Sequence, residues 1–129
     1  MADAIIDDKT ARRQRVRKIV GWILAILLGL EFLVAGCMKF IDNPVMVDMF
    51  NKVGLGQWFR YFTGALEIIG GVGVLIPRFS RRAALLLAVI MLGAVIAQLT
   101  RLHQGAWIPA VMLLLALMLA RIRRDTASQ

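Results

Sequence analysis

The chain has 129 residues, which is the length of a single domain, and 60% of its residues are hydrophobic. Soluble domains are roughly 45–50% apolar, so this excess and the mean hydropathy of +0.74 exclude an ordinary soluble protein and indicate a membrane protein. The net charge is +8, and the basic residues lie between apolar blocks. This placement indicates membrane topology and contact with anionic lipid rather than with nucleic acid.

The two residue types that most often carry redox and metal chemistry occur only once each. Cys37 is the single cysteine, which excludes an internal disulfide and a CxxC redox pair. His103 is the single histidine, so the sequence contains no His/Cys cluster for a metal or a haem. We therefore expect no metal site and no intrinsic cofactor.

Four apolar blocks follow a basic N-terminal segment and predict four membrane-spanning helices. They cover residues 19–40, 58–77, 83–102 and 107–120, and the fourth is short for a span. The chain thus divides into three parts: a solvated basic arm, a four-span membrane domain and a basic tail. These parts cover residues 1–18, 19–120 and 121–129.

The segment FLVAGCMKF, which closes the first block, has a second interpretation as a lipoprotein signal cleaved before Cys37. Such a signal needs an apolar core of roughly 7–15 residues. Here 18 residues, 19–36, precede the cysteine, and they include Glu31. Cleavage would also move the basic loop RFSRR to the outside. Length and charge balance therefore favour a membrane helix, in which Cys37 is a small packing residue.

The lysines and arginines of the loops predict the orientation of the spans. Twelve lie in the arm, in the loop between the second and third spans, and in the tail. Four lie on the other side: Lys39, Lys52, Arg60 and Arg101. Because positive loops stay inside, both termini are expected in the cytoplasm, in a multi-pass protein of a bacterial-type inner (plasma) membrane.

The first outer loop carries helix signals of its own. Asn43 is a capping residue and Pro44 follows at the first helical position, while Gly54 ends the run. Apolar residues share one face of this stretch, which predicts a short amphipathic helix on the membrane surface or over the bundle. An ordinary connecting helix is the alternative.

The predicted fold is an all-α, integral membrane four-helix bundle with this extra helix.

Two carboxylates, Glu31 and Glu67, fall well inside the predicted spans, and an ionisable side chain at mid-membrane costs roughly 2.5–3.5 kcal/mol on insertion scales. Helical side chains lean toward the N-terminus of their helix, so Lys39 and Glu67, on antiparallel spans, lean toward each other. They form a charge pair if the spans are adjacent. Glu31 leans toward the bilayer centre and is a candidate for a protonated, hydrogen-bonded carboxyl.

Glycines lie on the same helix face as Glu67, at Gly64, Gly70 and Gly71, and would let another helix approach closely. Glu67 is therefore expected to point into the bundle. A similar strip of small residues includes Gly29 on the first span, and another includes Gly93 on the third.

The ionisable residues of the spans, together with other polar side chains near the outer ends of the spans, define a candidate polar pocket that opens outward. Its members are Glu67, Lys39, Glu31, Gln98, Arg60 and His103. The alternative is that Arg60 and His103 face water at the membrane interface, which we favour for His103 because Gly105 of the loop is close by. A buried Lys39–Glu67 pair also has a purely structural interpretation.

Three segments resemble the DoxX-like family of membrane proteins: GLEFLVAGCMKF, GALEIIGGVGVLIP and AALLLAVIMLGAVIAQ. The resemblance covers residues 19–120 and implies a four-helix bundle with both termini inside. It also implies that Lys39 and Glu67 are polar positions of the family, whereas Glu31 is outside the family pattern. Members of the family include a membrane subunit linked to thiosulfate:quinone oxidoreduction.

Three functions are compatible with these features. The first is a quinone-associated accessory subunit of a membrane redox complex, in which electrons are carried by a quinone or a partner protein. The second is a non-catalytic assembly or scaffold factor for a client membrane protein. A homo-oligomer is compatible with both functions. The third, a transporter, is disfavoured because inner segments such as IVGWILAILL contain no ionisable group. No residue is assigned as catalytic.

Overall fold

Five α-helices make up the part of the chain described by this computed structural model, which is residues 2–102 and 105–127, with the backbone alone for 125–127. They are α1 (Ala2–Met38), α2 (Pro44–Val53), α3 (Gln57–Leu75), α4 (Ser80–Thr100) and α5 (Trp107–Ala127). No strand occurs in these ranges. The all-α class predicted from the sequence is confirmed.

The first helix begins long before the first apolar block. α1 has 37 residues and runs without a break from the basic arm into the apolar segment. The arm contains no glycine or proline and several strong helix formers, so nothing in it ends a helix. A helix of this length measures about 55 Å, which exceeds the hydrocarbon thickness of about 30 Å. The arm is therefore a helical extension whose described side chains are exposed.

The short helix α2 has the start and the end that the sequence predicts. The Asn43 side chain accepts a hydrogen bond of 2.9 Å from the Val45 N–H, and Pro44 is the first helical residue. Gly54 has the left-handed φ of 86° that suits glycine at a helix C-terminus. Phe50 is buried toward α3, whereas Val45 is 70% exposed, so part of the apolar face of α2 is uncovered.

The four long helices contact one another in a closed ring. α1 packs against α3 and α5, and α4 packs against the same two helices, while α2 contacts α3. The buried apolar residues lie mainly in the half of the ring beside the α3–α4 connection. They include Leu28, Phe32, Val74, Leu87, Ala116 and Leu119. The other half contains the polar side chains of the candidate site.

Two of the described helices, α1 and α4, are long and apolar enough to cross a membrane. α3 differs because it carries Arg60 and Glu67, and α5 carries three arginines near its end. Large apolar side chains such as Val89 and Leu99 of α4 are exposed on the ring exterior. A helix that is apolar on its exposed side as well as its buried side is typical of a membrane protein.

Candidate functional site

The site lies where α1 and α3 approach each other through two glycine pairs. A Cβ atom on Gly36 would lie 2.8 Å from the carbonyl oxygen of Gly64, and one on Gly64 would lie 3.0 Å from the oxygen of Gly36. Gly29 and Gly71 make the same reciprocal contact at 3.0 Å. Each helix repeats its glycine after seven residues, so the antiparallel pair stays close over two turns.

The other predicted glycines have different neighbours. Gly70 faces Leu87 of α4, where a Cβ atom would lie 2.8 Å from the leucine Cγ. Gly93 faces open space, with no heavy atom within 4 Å of a built Cβ. The strip of small residues at Gly93 therefore makes no close helix contact within the described chain, because the ring leaves this face of α4 uncovered.

Lys39 and Glu67 form an ion pair across this contact. Nζ of Lys39 donates to Oε2 of Glu67 at 2.9 Å, and the two side chains are 13% and 3% exposed. Lys39 directly follows α1, and its Cβ lies against Gly64, one turn before Glu67 on α3. The missing side chain at Gly64 thus leaves the space through which the lysine reaches the carboxylate. The contact predicted from side-chain direction is present.

The pair retains unused hydrogen-bonding capacity. Among the described residues neither side chain makes a second hydrogen bond, whereas a lysine ammonium has three donors and a carboxylate has two acceptor oxygens. Part of the Lys39 side chain is also exposed. The ammonium therefore has donors left for an acceptor besides Glu67.

Arg60 is buried rather than facing water, but its partners are not Lys39 and Glu67. One terminal nitrogen donates to the Ile41 carbonyl oxygen at 2.8 Å, and the other donates to Oδ1 of Asp42 and to the Tyr61 hydroxyl, each at 2.9 Å. The guanidinium also lies 4.6 Å from the centre of the Tyr61 ring. Arg60 therefore ties the α1–α2 connection to the first turn of α3. Asp42 is 81% exposed, and its hydrogen bond with Arg60, followed by the charge of Arg60, lowers the pKa of its carboxyl.

Glu31 does not lie in the predicted pocket. It is exposed on the outer face of α1, in a stripe with Leu27, Val34 and Met38, and makes no hydrogen bond or ion pair within the described chain. Phe32 occupies the inward position, about 100° around the helix by its 3.6-residue repeat. The prediction of a hydrogen-bonded carboxyl inside the ring is corrected accordingly.

Only one of the remaining two candidates, Gln98, lies within the described residues, and it adds no contact to the pair. Gln98 is half-buried near the end of α4, without a side-chain hydrogen bond to any described residue. His103 lies outside the described residues. Among the five predicted pocket residues that lie in the described ranges, the structure therefore joins two, Lys39 and Glu67, by direct contact.

Two polar residues with clear structural contacts were not among the candidates. Asp42 pairs with Arg60, and its position directly before the Asn43 cap was the only available signal. Arg123 is buried at the opposite end of the ring, with its guanidinium 4.9 Å from the Trp22 ring centre. Its place in a basic tail gave no sign of burial.

Comparison with known proteins adds the family. The model of the DoxX-like family matches residues 23–120. "Putative oxidoreductase CatD" of Bacillus subtilis (strain 168) is 32% identical over 74 residues, which are 57% of this chain and 55% of that protein. The chain thus spans about half the length of this relative. No solved structure matches the chain significantly. Because the family model covers the glycine-packed helices and the Lys39–Glu67 pair, and most of the chain with them, this membrane protein belongs to the DoxX-like family.

Proposed function

We propose that this protein is a quinone-associated accessory subunit of a membrane redox complex. The observation that carries the proposal is the Lys39–Glu67 pair, which joins the end of α1 to α3 at 2.9 Å, is largely buried and keeps hydrogen-bonding capacity. Ionisable pairs within membrane segments commonly mark ligand or proton sites. The name of the relative in Bacillus subtilis supports an association with redox chemistry.

The proposal includes a four-span bundle in a bacterial-type inner membrane, with both termini in the cytoplasm. The charge count of the loops supports this orientation. The two charged residues of α3, Arg60 and Glu67, are both buried. Its exposed face is apolar, including Phe62, Ile69 and Val72, which supports α3 as a span despite its polar residues.

The Lys39–Glu67 pair suits a quinone head group, because it supplies a hydrogen-bond donor and a carboxylate that can carry a proton. Lys39 would donate from Nζ to a head-group carbonyl oxygen and stabilise negative charge there. Glu67 would hold a proton at its carboxylate and deliver it toward the head group. A quinone, when bound, supplies reversible electron and proton acceptance, and electrons would arrive from a partner protein.

An apolar groove between α3 and α4 also supports the proposal, because it offers a surface for the isoprenoid chain of a quinone. The groove has a volume of about 450 Å³ and begins at Ile68, the residue after Glu67. Its lining continues along Val72 and Ile76 to Phe79 and contains no charged residue. Such a surface suits an isoprenoid chain, whose burial is driven by the hydrophobic effect.

The test is quinone binding by protein purified in mild detergent. Extracted lipids would be analysed by mass spectrometry for quinone, and decylubiquinone and menadione would be titrated while tryptophan fluorescence is followed. We expect co-purified quinone and saturable quenching that weakens in Lys39→Gln. Lys52→Gln is the matched control, because Lys52 lies on α2 and pairs with exposed Asp48. Absence of quinone from the extract together with no saturable binding would refute the proposal, provided that thermal unfolding shows a folded protein.

A second candidate is a non-catalytic assembly or scaffold factor. The exposed position of Glu31 favours it, because a carboxylate in the apolar outer stripe of α1 gains a partner when another membrane protein covers that stripe. In this case Glu67→Gln would lower the amount of protein or the recovery of a partner. It would not abolish a separable chemical step.

A further inference from the structure

A basic groove lies at the end of the ring opposite the Lys39–Glu67 pair. It forms between the first turns of α4 and the last turns of α5 and has a volume of about 580 Å³. Six residues line it: Arg81, Leu85, Leu117, Ala120, Arg121 and Arg124. Neither the quinone proposal nor the buried ion pair uses any of them.

The charges in this groove have one sign. Arg81, Arg121 and Arg124 are exposed, and within the described part of the chain they form no ion pair and no side-chain hydrogen bond. The groove lining contains no carboxylate. Three guanidinium groups around one groove repel one another, so an anion between them relieves the repulsion. The planar donor fork of arginine matches the oxygens of a phosphate.

The lining changes from charged to apolar within one helical turn. Leu85 lies four residues after Arg81 on α4, and Leu117 lies four residues before Arg121 on α5. Because the two helices are antiparallel, both leucines lie on the side of the arginines that leads toward the apolar middle of the ring. Both leucine side chains are exposed at the ring surface. The groove therefore offers cationic groups at its mouth and an apolar wall about 6 Å deeper, by helix rise.

This order of charged and apolar surface matches one kind of molecule. An anionic phospholipid has a phosphate next to acyl chains, whereas free phosphate has no group for the leucines. We propose that the groove between α4 and α5 binds an anionic phospholipid, with its phosphate between Arg81, Arg121 and Arg124 and an acyl chain along Leu85 and Leu117. Basic pockets between helices at the cytoplasmic side of membrane proteins bind anionic lipid head groups in this way.

The experiment compares binding of two lipids to the full-length protein in a neutral detergent. Native mass spectrometry would follow titrations with dioleoylphosphatidylglycerol and with dioleoylphosphatidylcholine. The groove variant is R121Q/R124Q. The control is R78Q/R82Q, which removes two positive charges from the same end of the ring, at residues outside the groove lining.

We expect the wild-type protein to prefer phosphatidylglycerol, and the groove variant to bind it about thirtyfold more weakly. The control variant should bind like the wild type. Equal losses in the two double variants would overturn the proposal, because they would show diffuse attraction to a basic surface. Equal binding of the two lipids would also overturn it, as would inorganic phosphate that binds as tightly as phosphatidylglycerol.

Folding is checked separately by circular dichroism during thermal unfolding without added lipid. If R121Q/R124Q is unfolded, Arg81→Gln provides an independent measurement from the opposite wall of the groove, since it changes one exposed side chain. It should bind phosphatidylglycerol about fivefold more weakly, as expected for the loss of one cationic contact. Unchanged binding by folded Arg81→Gln would count against the assigned phosphate position.

Discussion

Nζ of Lys39 lies 2.9 Å from Oε2 of Glu67, across a contact where Gly36 of α1 faces Gly64 of α3. The closeness of the helices and the length of the lysine side chain produce this contact together. Gly36 and Gly64 bring the backbones near enough for Lys39 to pass over α3 and reach the carboxylate. The ion pair therefore depends on this close packing.

Removing one member of the ion pair should destabilise the protein more than removing both. Lys39→Met leaves the Glu67 carboxylate buried without its counter-ion, so we expect the free energy of unfolding to fall by about 3–5 kcal/mol. The double variant Lys39→Met/Glu67→Leu should recover most of the loss. Equilibrium unfolding in mixed detergent micelles measures all three proteins.

The matched control for the ion pair is Lys52→Met. Lys52 and Asp48 form an ion pair of 3.2 Å on α2, but their side chains are 57% and 65% exposed. The loss should be below about 1 kcal/mol, as is usual for exposed pairs. A Lys39→Met variant that behaves like Lys52→Met would show that the pair contributes little to stability.

The glycine contact should not tolerate a methyl group. In Gly36→Ala the new Cβ would lie 2.8 Å from the Gly64 carbonyl oxygen, so the helices must move apart. We expect a loss of about 1–3 kcal/mol in unfolding free energy. Gly93→Ala is the control, because a Cβ there meets no heavy atom within 4 Å. It should be neutral or stabilising by up to about 1 kcal/mol, since alanine favours helices.

Arg60 should hold the α1–α2 connection against α3. In Arg60→Lys the positive charge remains, but one ammonium cannot replace the fork that reaches both Ile41 and Asp42. We expect a loss of about 1–3 kcal/mol and faster proteolysis near residues 39–43, measured by limited digestion in detergent. Arg101→Lys, at an exposed residue after α4, should leave the digestion rate unchanged. Identical digestion of the two variants would contradict this role of Arg60.

The contact between Asp42 and Arg60 should make stability depend on acid pH. Arg60 lowers the pKa of Asp42 below its ordinary value of 3.8, so the folded protein binds the proton less readily than the unfolded chain. The contribution is fully present above pH 3.8 and is lost as the pH falls through the lower pKa of the folded state. Asp42→Asn should therefore show a weaker loss of stability in this acid range, measured by unfolding at a series of pH values. Parallel curves for the two proteins would contradict the prediction.

Replacement of Glu31 should not destabilise the protein, in contrast to removal of one member of the Lys39–Glu67 pair. Glu31 is exposed among apolar side chains and has no ion-pair partner in the described chain, so Glu31→Leu removes an unfavourable group from the outer face of α1. We expect the purified protein to be as stable as the wild type or more stable. If a partner protein or a second copy covers this stripe, its recovery in affinity purification should decrease. A large loss of stability in Glu31→Leu would show that the carboxyl acts inside the ring.

Local signals in the sequence were sufficient for the short helix α2. The bounds of α2 were predictable because Asn43, Pro44 and Gly54 act within one turn of their own positions. The start of α1 was harder to place. The apolar block indicates only the apolar part of α1. The helix itself begins earlier, in the charged arm, which contains no glycine or proline to stop it.

The sequence by itself determined the helical class, the capped short helix and the direction in which Lys39 and Glu67 lean, because caps and side-chain direction are properties of one helix. Only the tertiary structure decided that α1 and α3 are adjacent, so that Lys39 meets Glu67. It also decided that Glu31 faces outward and that Arg60 binds Asp42. These outcomes depend on which side of each helix its neighbours cover and on the path of a connection. The packing of all four long helices sets both, and periodicity within one segment does not contain that information.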